Sequence, residues 1–189
     1  MYHIKNDKRS RRSAELIYTG LMRCLERKSF SEITITDVQK ESYVGRATFY
    51  RLFDSLSDVL LYQCDRLFEQ IFQKIRDNPE ATMEARTMAF INGWIQHHKV
   101  IEAIVESNRI EILYESHIRT ANELKEFLYR NSDMDEMHAE YNTIMLTTML
   151  AGVFTIWVKR GKKETARELY EVLCDALLMF YESIAKWRN

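Results

Sequence analysis

The chain has 189 residues, 46% of them hydrophobic and 29% charged, and a formal net charge of −1. This length is enough to bury a real core, but it is short for more than one large domain plus a small one. The near-zero charge excludes a protein that coats nucleic acid along its whole surface, so any binding of nucleic acid is confined to a local patch. One proline and five glycines leave little to interrupt helices.

Positive charge is concentrated near the start of the chain. Residues 5–12 carry five cations against one acid, and the first 62 residues carry 11 Lys and Arg against 8 Asp and Glu, whereas the remainder has a net charge of −4. Affinity for nucleic acid comes mostly from neutralising phosphates. We therefore take Lys8, Arg9 and Arg12 as candidate DNA contacts, with a solubilising tail as the alternative.

Residues 34–53 are predicted to form two short helices joined by a tight turn. Thr34 and Asp37 approximate a capping box for the first helix, and Gly45 is an acceptable N-cap for the second. In the second helix, apolar residues share one side and cationic or hydrogen-bonding residues cover the rest. This is the layout of a helix-turn-helix that inserts its second helix into the major groove, with an ordinary surface hairpin as the alternative. The further candidate DNA contacts are Thr34, Thr36, Gly45, Arg46, Ala47, Thr48, Tyr50 and Arg51.

This segment resembles the N-terminal domain of the TetR family of bacterial transcriptional regulators. The resemblance starts with a first helix at about 7–28 and reaches the opening of a fourth helix at 54–60. It rests on the order Thr-(x)2-Asp-(x)10-Thr-Phe-Tyr-Arg-(x)-Phe-(x)-Ser-(x)2-Asp-(x)-Leu. It implies that Arg46, Thr48 and Tyr50 face DNA while Phe49 and Phe53 are core.

Four positions depart from the family pattern, and one of them, Gln39, replaces a customary alanine where the two helices cross. Tyr43 stands at the usual turn glycine, which predicts either a turn without a left-handed residue or a strain of roughly 1 kcal/mol. Leu52 and Leu56 replace a frequent histidine and a frequent lysine that bind phosphate. Two common contacts to the DNA phosphate backbone are therefore in doubt, and the basic leader, residues 5–12, is a candidate source of the missing charge.

The rest of the chain is a series of helical patterns. They are predicted at about 57–76, 81–96, 100–105, 109–130, 136–160 and 165–187, with a break at 131–133. Residues 141–158 contain no charge and are long enough to suggest a membrane span. Their threonines favour a helix packed on both sides instead, against its own domain and a second subunit. Gly161 ends this helix, and Thr165 with Glu168 forms a capping box for the last one.

These patterns predict an all-α fold of about nine helices. A three-helix DNA-binding domain occupies 7–56, with its recognition helix at about 46–53, and a helical effector-binding and dimerisation domain occupies 57–189. The last two helices can form a four-helix bundle with a second copy, as the family resemblance also implies. Dimerisation would let the protein read an inverted repeat. The candidate interface residues are Thr148, Gly152, Thr155, Leu173, Leu177 and Phe180.

Aromatic residues and methionines between the two ends predict a pocket for a small, mainly apolar effector, although ordinary core is the alternative for each of them. The candidate lining residues are Trp94, His98, Tyr114, His117, Phe127, Met145, Met149 and Phe154. His97 and His98 are a weak metal lead, because adjacent helical residues point 100° apart and help from His117 or His138 would be needed. No metal ligand, cofactor or catalytic residue is predicted.

The favoured function is that of a cytoplasmic, ligand-responsive repressor that binds an inverted-repeat operator as a dimer. The alternative is a DNA-binding accessory or structural factor whose helical half binds a protein. An enzyme is disfavoured because no catalytic motif occurs. Three widely spaced cysteines and a charged N-terminus predict a reduced protein without a secretory signal, in which a redox-sensing cysteine is less expected than buried or surface thiols.

Overall fold

The computed structural model describes residues 1–4, 7–78, 80–120 and 134–188, with side chains as far as Tyr181. Within these residues the chain forms nine α-helices and one 3-10 turn, Phe30–Glu32, and β pairing is limited to one isolated bridge. The expected all-α class is confirmed. The helices are α1 Lys8–Leu25, α2 Ile35–Ser42, α3 Arg46–Leu52, α4 Leu56–Arg76, α5 Met83–Gln96, α6 His98–Glu106, α7 Glu111–Arg119, α8 Glu136–Lys159 and α9 Ala166–Arg188.

The chain divides into two compact units. The first contains Met1–Phe68 and His98–Arg119, and the second contains Glu69–His97 and Thr120–Asn189. The first unit thus holds α6 and α7 beside the helix-turn-helix, while α4 contributes residues to both units. The domain limits expected from the sequence, 7–56 and 57–189, stay predictions.

A glycine sets the distance between α1 and α2 in the first unit. A Cβ atom placed on Gly20 would lie 2.8 Å from Cβ of Ser42 and 2.9 Å from its backbone nitrogen. Contacts this short do not occur between real side chains, so only glycine permits this approach. The apolar side chains Ala14, Ile17, Leu21 and Val38 are fully buried around it.

Aromatic rings form a continuous chain in the core of the second unit. Ring centroids are 6.1 Å apart for Phe72 and Phe90, 6.4 Å for Phe90 and Trp94, 6.1 Å for Trp94 and Phe154, and 6.3 Å for Phe154 and Trp157. Such tilted and edge-on pairs are favoured over face-to-face stacking. The rings link α4, α5 and α8 inside this unit.

The ends of the last two helices follow the predicted local signals. Gly161 has φ +81°, and the Lys162 amide donates to the Trp157 carbonyl at 2.8 Å, which closes α8. The Thr165 amide donates to Glu168 Oε2 at 2.7 Å and the Glu168 amide to Thr165 Oγ1 at 3.3 Å. Both the helix stop and the capping box are therefore confirmed.

Helix α8 buries one side and exposes the other. Its buried residues are Ala139, Thr143, Thr147, Phe154 and Trp157. Its threonine hydroxyls donate to carbonyls one turn earlier, as Thr143 does to Ala139 at 2.7 Å, so the threonine hydroxyls of the charge-free segment 141–158 are satisfied within the helix. Among the described residues, α8 alone is long and apolar enough to cross a membrane by length and composition. A single such helix is weak support for a membrane span.

Candidate nucleic-acid interface

Helix α2 begins with a capping box. The Thr34 amide donates to Asp37 Oδ2 at 2.9 Å, and the Asp37 amide donates back to Thr34 Oγ1 at 3.1 Å. The Thr34 hydroxyl and amide, together with Lys28 Nζ at 3.1 Å, hold the pKa of Asp37 well below its usual range. The predicted box is confirmed, and Thr34 and Thr36 are both exposed at this helix start.

The turn between α2 and α3 uses a left-handed tyrosine. Tyr43 has φ 57° and ψ 23°, and its amide donates to the Gln39 carbonyl at 2.9 Å. The side chain is 93% exposed, so packing of its ring does not explain the conformation. The second of the two expectations for this turn is confirmed, and the left-handed backbone costs about 1 kcal/mol.

Helix α3 has the two faces that its sequence predicts. Phe49, Leu52 and the following Phe53 are buried, whereas Arg46, Ala47, Tyr50 and Arg51 are exposed and Thr48 is half-buried. The Gly45 carbonyl accepts from the Thr48 and Phe49 amides, so Gly45 is the N-cap as expected. Leu52 is a core residue here, and Leu56 is half-buried at the start of α4.

Arg46 and Tyr50 form one cationic and aromatic surface on α3. Arg46 Nη2 lies 3.4 Å from Tyr50 Oη, and its guanidinium carbon lies 5.4 Å from the centroid of that ring. Arg51 projects separately, about 140° around the helix from Arg46. A guanidinium can bind a guanine edge with two hydrogen bonds or pair with a phosphate, and a phenol hydroxyl can donate to a phosphate oxygen.

The basic leader is helical from Lys8 onward. Asp7 caps α1 by accepting from the Ser10 amide at 2.8 Å. Lys8, Arg9 and Arg12 are exposed on the first turns of this helix. They therefore offer charge on the solvent side of α1, while Lys5 and Asn6 lie outside the described residues.

The sequence did not indicate one part of this unit, the segment before α1. Tyr2 forms an antiparallel bridge with Phe53 directly after α3, and its hydroxyl donates to Asp65 Oδ2 in α4 at 2.6 Å. The one available signal was the position of Asp65, because a carboxylate beside the buried Cys64 and Leu67 requires donors from elsewhere.

The candidate effector residues are distributed over both units. His117 is buried in the first unit with its ring 4.2 Å from that of Phe68, while Trp94 and Phe154 belong to the aromatic core of the second. His98 and Met149 are half-buried, and Tyr114 is exposed. Met145 is 61% exposed on α8, so within this chain it belongs to a surface and not to a cavity wall. Phe127 lies outside the described residues.

One groove in the first unit was not expected. It has a volume of about 280 Å³ between the end of α1 and α6. Met22, Leu25 and Ala103 provide apolar walls, and Glu26, Lys99, Glu102 and Glu106 line it with charge. For the metal lead at His97 and His98, the described residues hold no group of three or more His, Cys, Asp and Glu side chains that could bind a metal ion.

The candidate interface residues divide between two environments. Thr148 and Gly152 on α8 and Leu177 and Phe180 on α9 are exposed, and Thr155 is half-buried. Leu173 is only 6% exposed because it packs inside its own chain. Leu173 therefore supports α9 from within the second unit, and its assignment to a contact with a second subunit stays a prediction.

Comparison with known proteins gives one curated relative and several similar structures. No family model matches the chain. Over 123 residues it is 27% identical to an HTH-type transcriptional regulator, EthR, from Mycolicibacterium smegmatis. The matched segment covers 61% of this chain and 52% of the relative. The chain thus spans about half the length of the curated relative that it matches.

Three solved structures share the fold over most of their length. Lin0861 from Listeria innocua superposes with a TM-score of 0.76 at 23% identity, covering 94% of this chain and 96% of that one. A TetR transcriptional regulator from Streptococcus agalactiae gives 0.57 at 23% identity over 86% and 91%. The fatty acid degradation regulator FadR from Bacillus halodurans gives 0.53 at 16% identity over 90% and 93%. At these identities the likeness establishes a common fold.

Proposed function

We propose that this chain, which has the fold of TetR-type transcriptional regulators as its sequence predicted, is a sequence-specific DNA-binding regulator. The observation that carries the proposal is α3, a short helix with Phe49 and Leu52 in the core and Arg46, Tyr50 and Arg51 on the outside. An exposed cationic face of this kind on a supported helix suits the major groove.

The favoured form of the protein is a homodimer through α8 and α9. The exposed side of α8 carries an apolar stripe at helical spacing, formed by Met137, Tyr141, Met145 and Ile156, with the small Gly152 between the last two. Exposed apolar stripes on long helices are typical of helix bundles completed by a second chain. Helix α9 adds the exposed side chains Val172, Leu177, Leu178, Met179, Phe180 and Tyr181.

A dimer would place two copies of α3 on an inverted repeat, since two-fold protein symmetry is matched by two-fold operator symmetry. We propose that the dimer represses transcription by occupying its operator. A small, mainly apolar effector would relieve repression by favouring a spacing of the two α3 helices that does not fit the operator. Such coupling is typically about 1 to 3 kcal/mol, or five- to 150-fold in affinity. The second candidate is a DNA-binding accessory factor without an effector, whose helical half binds a protein.

The experiment is selection of duplexes from a random pool, followed by affinity measurement over a range of salt. Replacing Arg46, Tyr50 and Arg51 together with alanine should abolish the preference for the selected duplex and flatten the salt dependence. The matched control replaces Lys74 and Lys163 with alanine, which removes the same number of charges from exposed positions outside α3 and outside the proposed dimer stripe. A folded triple variant that binds the selected duplex as wild type does would overturn the proposal.

The effector is tested on the same selected duplex. Aliphatic carboxylates, aliphatic amines and aromatic compounds are titrated into the complex, and release of DNA is measured. Release by one class at concentrations that leave thermal unfolding cooperative supports the ligand-responsive form. If every class leaves DNA affinity unchanged while a protein partner is retained by the helical half, the accessory-factor candidate is favoured.

A further inference from the structure

The segment before α1 binds the C-terminal end of the proposed recognition helix, α3. The last carbonyl groups of a helix lack partners within it. In α3 the Leu52 carbonyl accepts from the His3 amide at 2.8 Å, and the Asp54 amide donates to the Met1 carbonyl at 3.4 Å. Tyr2, which lies between them, pairs with Phe53. The C-terminal end of α3 is thus fixed by main-chain contacts to residues 1–3.

The Tyr2 side chain carries this contact to α4. Its hydroxyl donates to Asp65 Oδ2 at 2.6 Å, and its ring meets that of Tyr62 edge-on at 5.1 Å. The Tyr62 ring in turn lies 5.9 Å from that of Phe53. Hydrogen bonds to a carboxylate are shorter and stronger than those between neutral groups, so Tyr2 is held at both its backbone and its hydroxyl.

Helix α7 supplies the remaining partners of the same carboxylate. Ser116 Oγ donates to Asp65 Oδ1 at 2.5 Å, and Arg119 Nη1 lies 3.8 Å from Asp65 Oδ2. The Arg119 guanidinium carbon also lies 5.3 Å from the centroid of the Tyr2 ring. Ser116 is fully buried and Asp65 largely so, and burial raises the pKa of Asp65. The carboxylate depends on these donors because water has little access to it.

We propose that Tyr2 is a positioning residue for DNA reading, which ties the end of α3 to α7 through Asp65. The inference rests on the proposed function of α3. The two oxygens of Asp65 join the two sides: Oδ2 accepts from Tyr2 and lies 3.8 Å from Arg119 Nη1, and Oδ1 accepts from Ser116. A displacement of α7 by about an ångström stretches the Ser116–Asp65 bond beyond hydrogen-bond length unless Asp65 follows. Asp65 keeps its bond to Tyr2 in that case only if Tyr2 and the bridged residue Phe53 move as well. The orientation of α3 and the position of α7 therefore depend on each other.

The test uses conservative variants at the two ends of the network, in the full-length protein. Tyr2→Phe keeps the ring and the backbone bridge but removes the hydroxyl, and Ser116→Ala removes the donor on α7. Each should lower affinity for the selected duplex about five-fold or more, although neither residue belongs to the proposed reading face. The double variant should lose less than the product of the two single effects, because both act through Asp65. The control on the same helix is Glu111→Gln, whose exposed partner is Arg109, and it should leave affinity unchanged.

Stability is measured beside affinity, because a purely structural role would appear there alone. If Tyr2→Phe and Ser116→Ala lower the melting temperature but bind DNA as Glu111→Gln does, the inference is overturned while the function of α3 stands. If a single variant fails to fold, Asp65→Asn repeats the test with the carboxylate shape retained. Wild-type protein that selects no duplex overturns the proposed function and this inference together. If the triple alanine variant of α3 loses selection while Tyr2→Phe and Ser116→Ala keep wild-type affinity, only the inference is overturned.

Discussion

Replacement of Gly152 by leucine distinguishes a packed α8 face from a solvent-exposed one. In the single chain, a Cβ atom on Gly152 meets no atom within 4 Å. Leucine there causes no clash inside the chain, and its higher helix propensity should stabilise the folded monomer by about 0.8 kcal/mol. The substitution can be harmful only if another chain covers this face.

In a two-fold dimer the same substitution occurs twice. Overpacking of a close helix contact costs about 1 to 3 kcal/mol at each position, hence about 2 to 6 kcal/mol for the pair. At about 1.4 kcal/mol for each factor of ten, the dissociation constant of the dimer should rise about 30-fold or more. The monomer is therefore expected to become more stable while the dimer becomes weaker.

Sedimentation over a dilution series measures the dimer constant, and denaturant unfolding at the lowest concentration measures the monomer. Glu140→Leu is the matched control, since it adds the same side chain to α8 at an exposed position about 120° away from Gly152. Unchanged association of Gly152→Leu, together with greater stability, would refute burial of this face in a dimer.

Three further substitutions test the first unit. Burial lowers the pKa of His117 to about 4, so the folded protein binds fewer protons than the unfolded chain between about pH 6.5 and 4. The contribution of neutral His117 to the unfolding free energy is present above pH 6.5 and is lost on acidification. His117→Leu should therefore make the fall in unfolding free energy between pH 7 and 4 smaller by up to about 3 kcal/mol. An unchanged pH dependence contradicts this expectation. Tyr43→Gly should raise the free energy of unfolding by about 1 kcal/mol, because it relieves the left-handed strain without loss of packing. The melting temperature should rise by about 2 to 4 °C, and a lower melting temperature would contradict this reasoning. Gly20→Ala should destabilise by about 1 to 3 kcal/mol, because its Cβ would meet the backbone at Ser42, and unchanged denaturant unfolding would show that α1 and α2 can separate freely.

Local signals explain why much of the helix-turn-helix, α2 and α3, could be predicted from the sequence. A capping box spans four residues and the two faces of α3 follow from helix periodicity, so Thr34, Asp37 and the burial of Phe49 required no knowledge of tertiary structure. Such features depend only on neighbours within one or two turns. The left-handed alternative at Tyr43 came instead from the family resemblance, in which glycine is usual at this turn.

Long-range contacts explain what the sequence did not indicate. Tyr2 and Asp65 are 63 residues apart, and Ser116 and Asp65 are 51 apart, so periodicity carries no information about them. Gly20 carries no such signal either, because the role of a helical glycine depends on the residue that faces it, here Ser42. The helix expected at 109–130 begins as predicted, but its described part ends at Arg119, and residues 121–133 lie outside the described residues.

The length of α3 makes the fixation of its C-terminal end consequential. Its seven residues span about 10 Å at 1.5 Å per residue. If the Leu52 end is held by His3, a tilt of 10° about that end displaces Arg46 at the other end by nearly 2 Å, on the order of the whole range in which a hydrogen bond to a base survives. At the N-terminal end, Gly45 and the exposed Tyr43 add no side-chain packing, so the nearest support there is the buried Val44, whose amide donates to Ser42 Oγ at 3.2 Å. The contacts that determine where Arg46 meets DNA therefore include those at the opposite end of the helix, where the N-terminal segment binds.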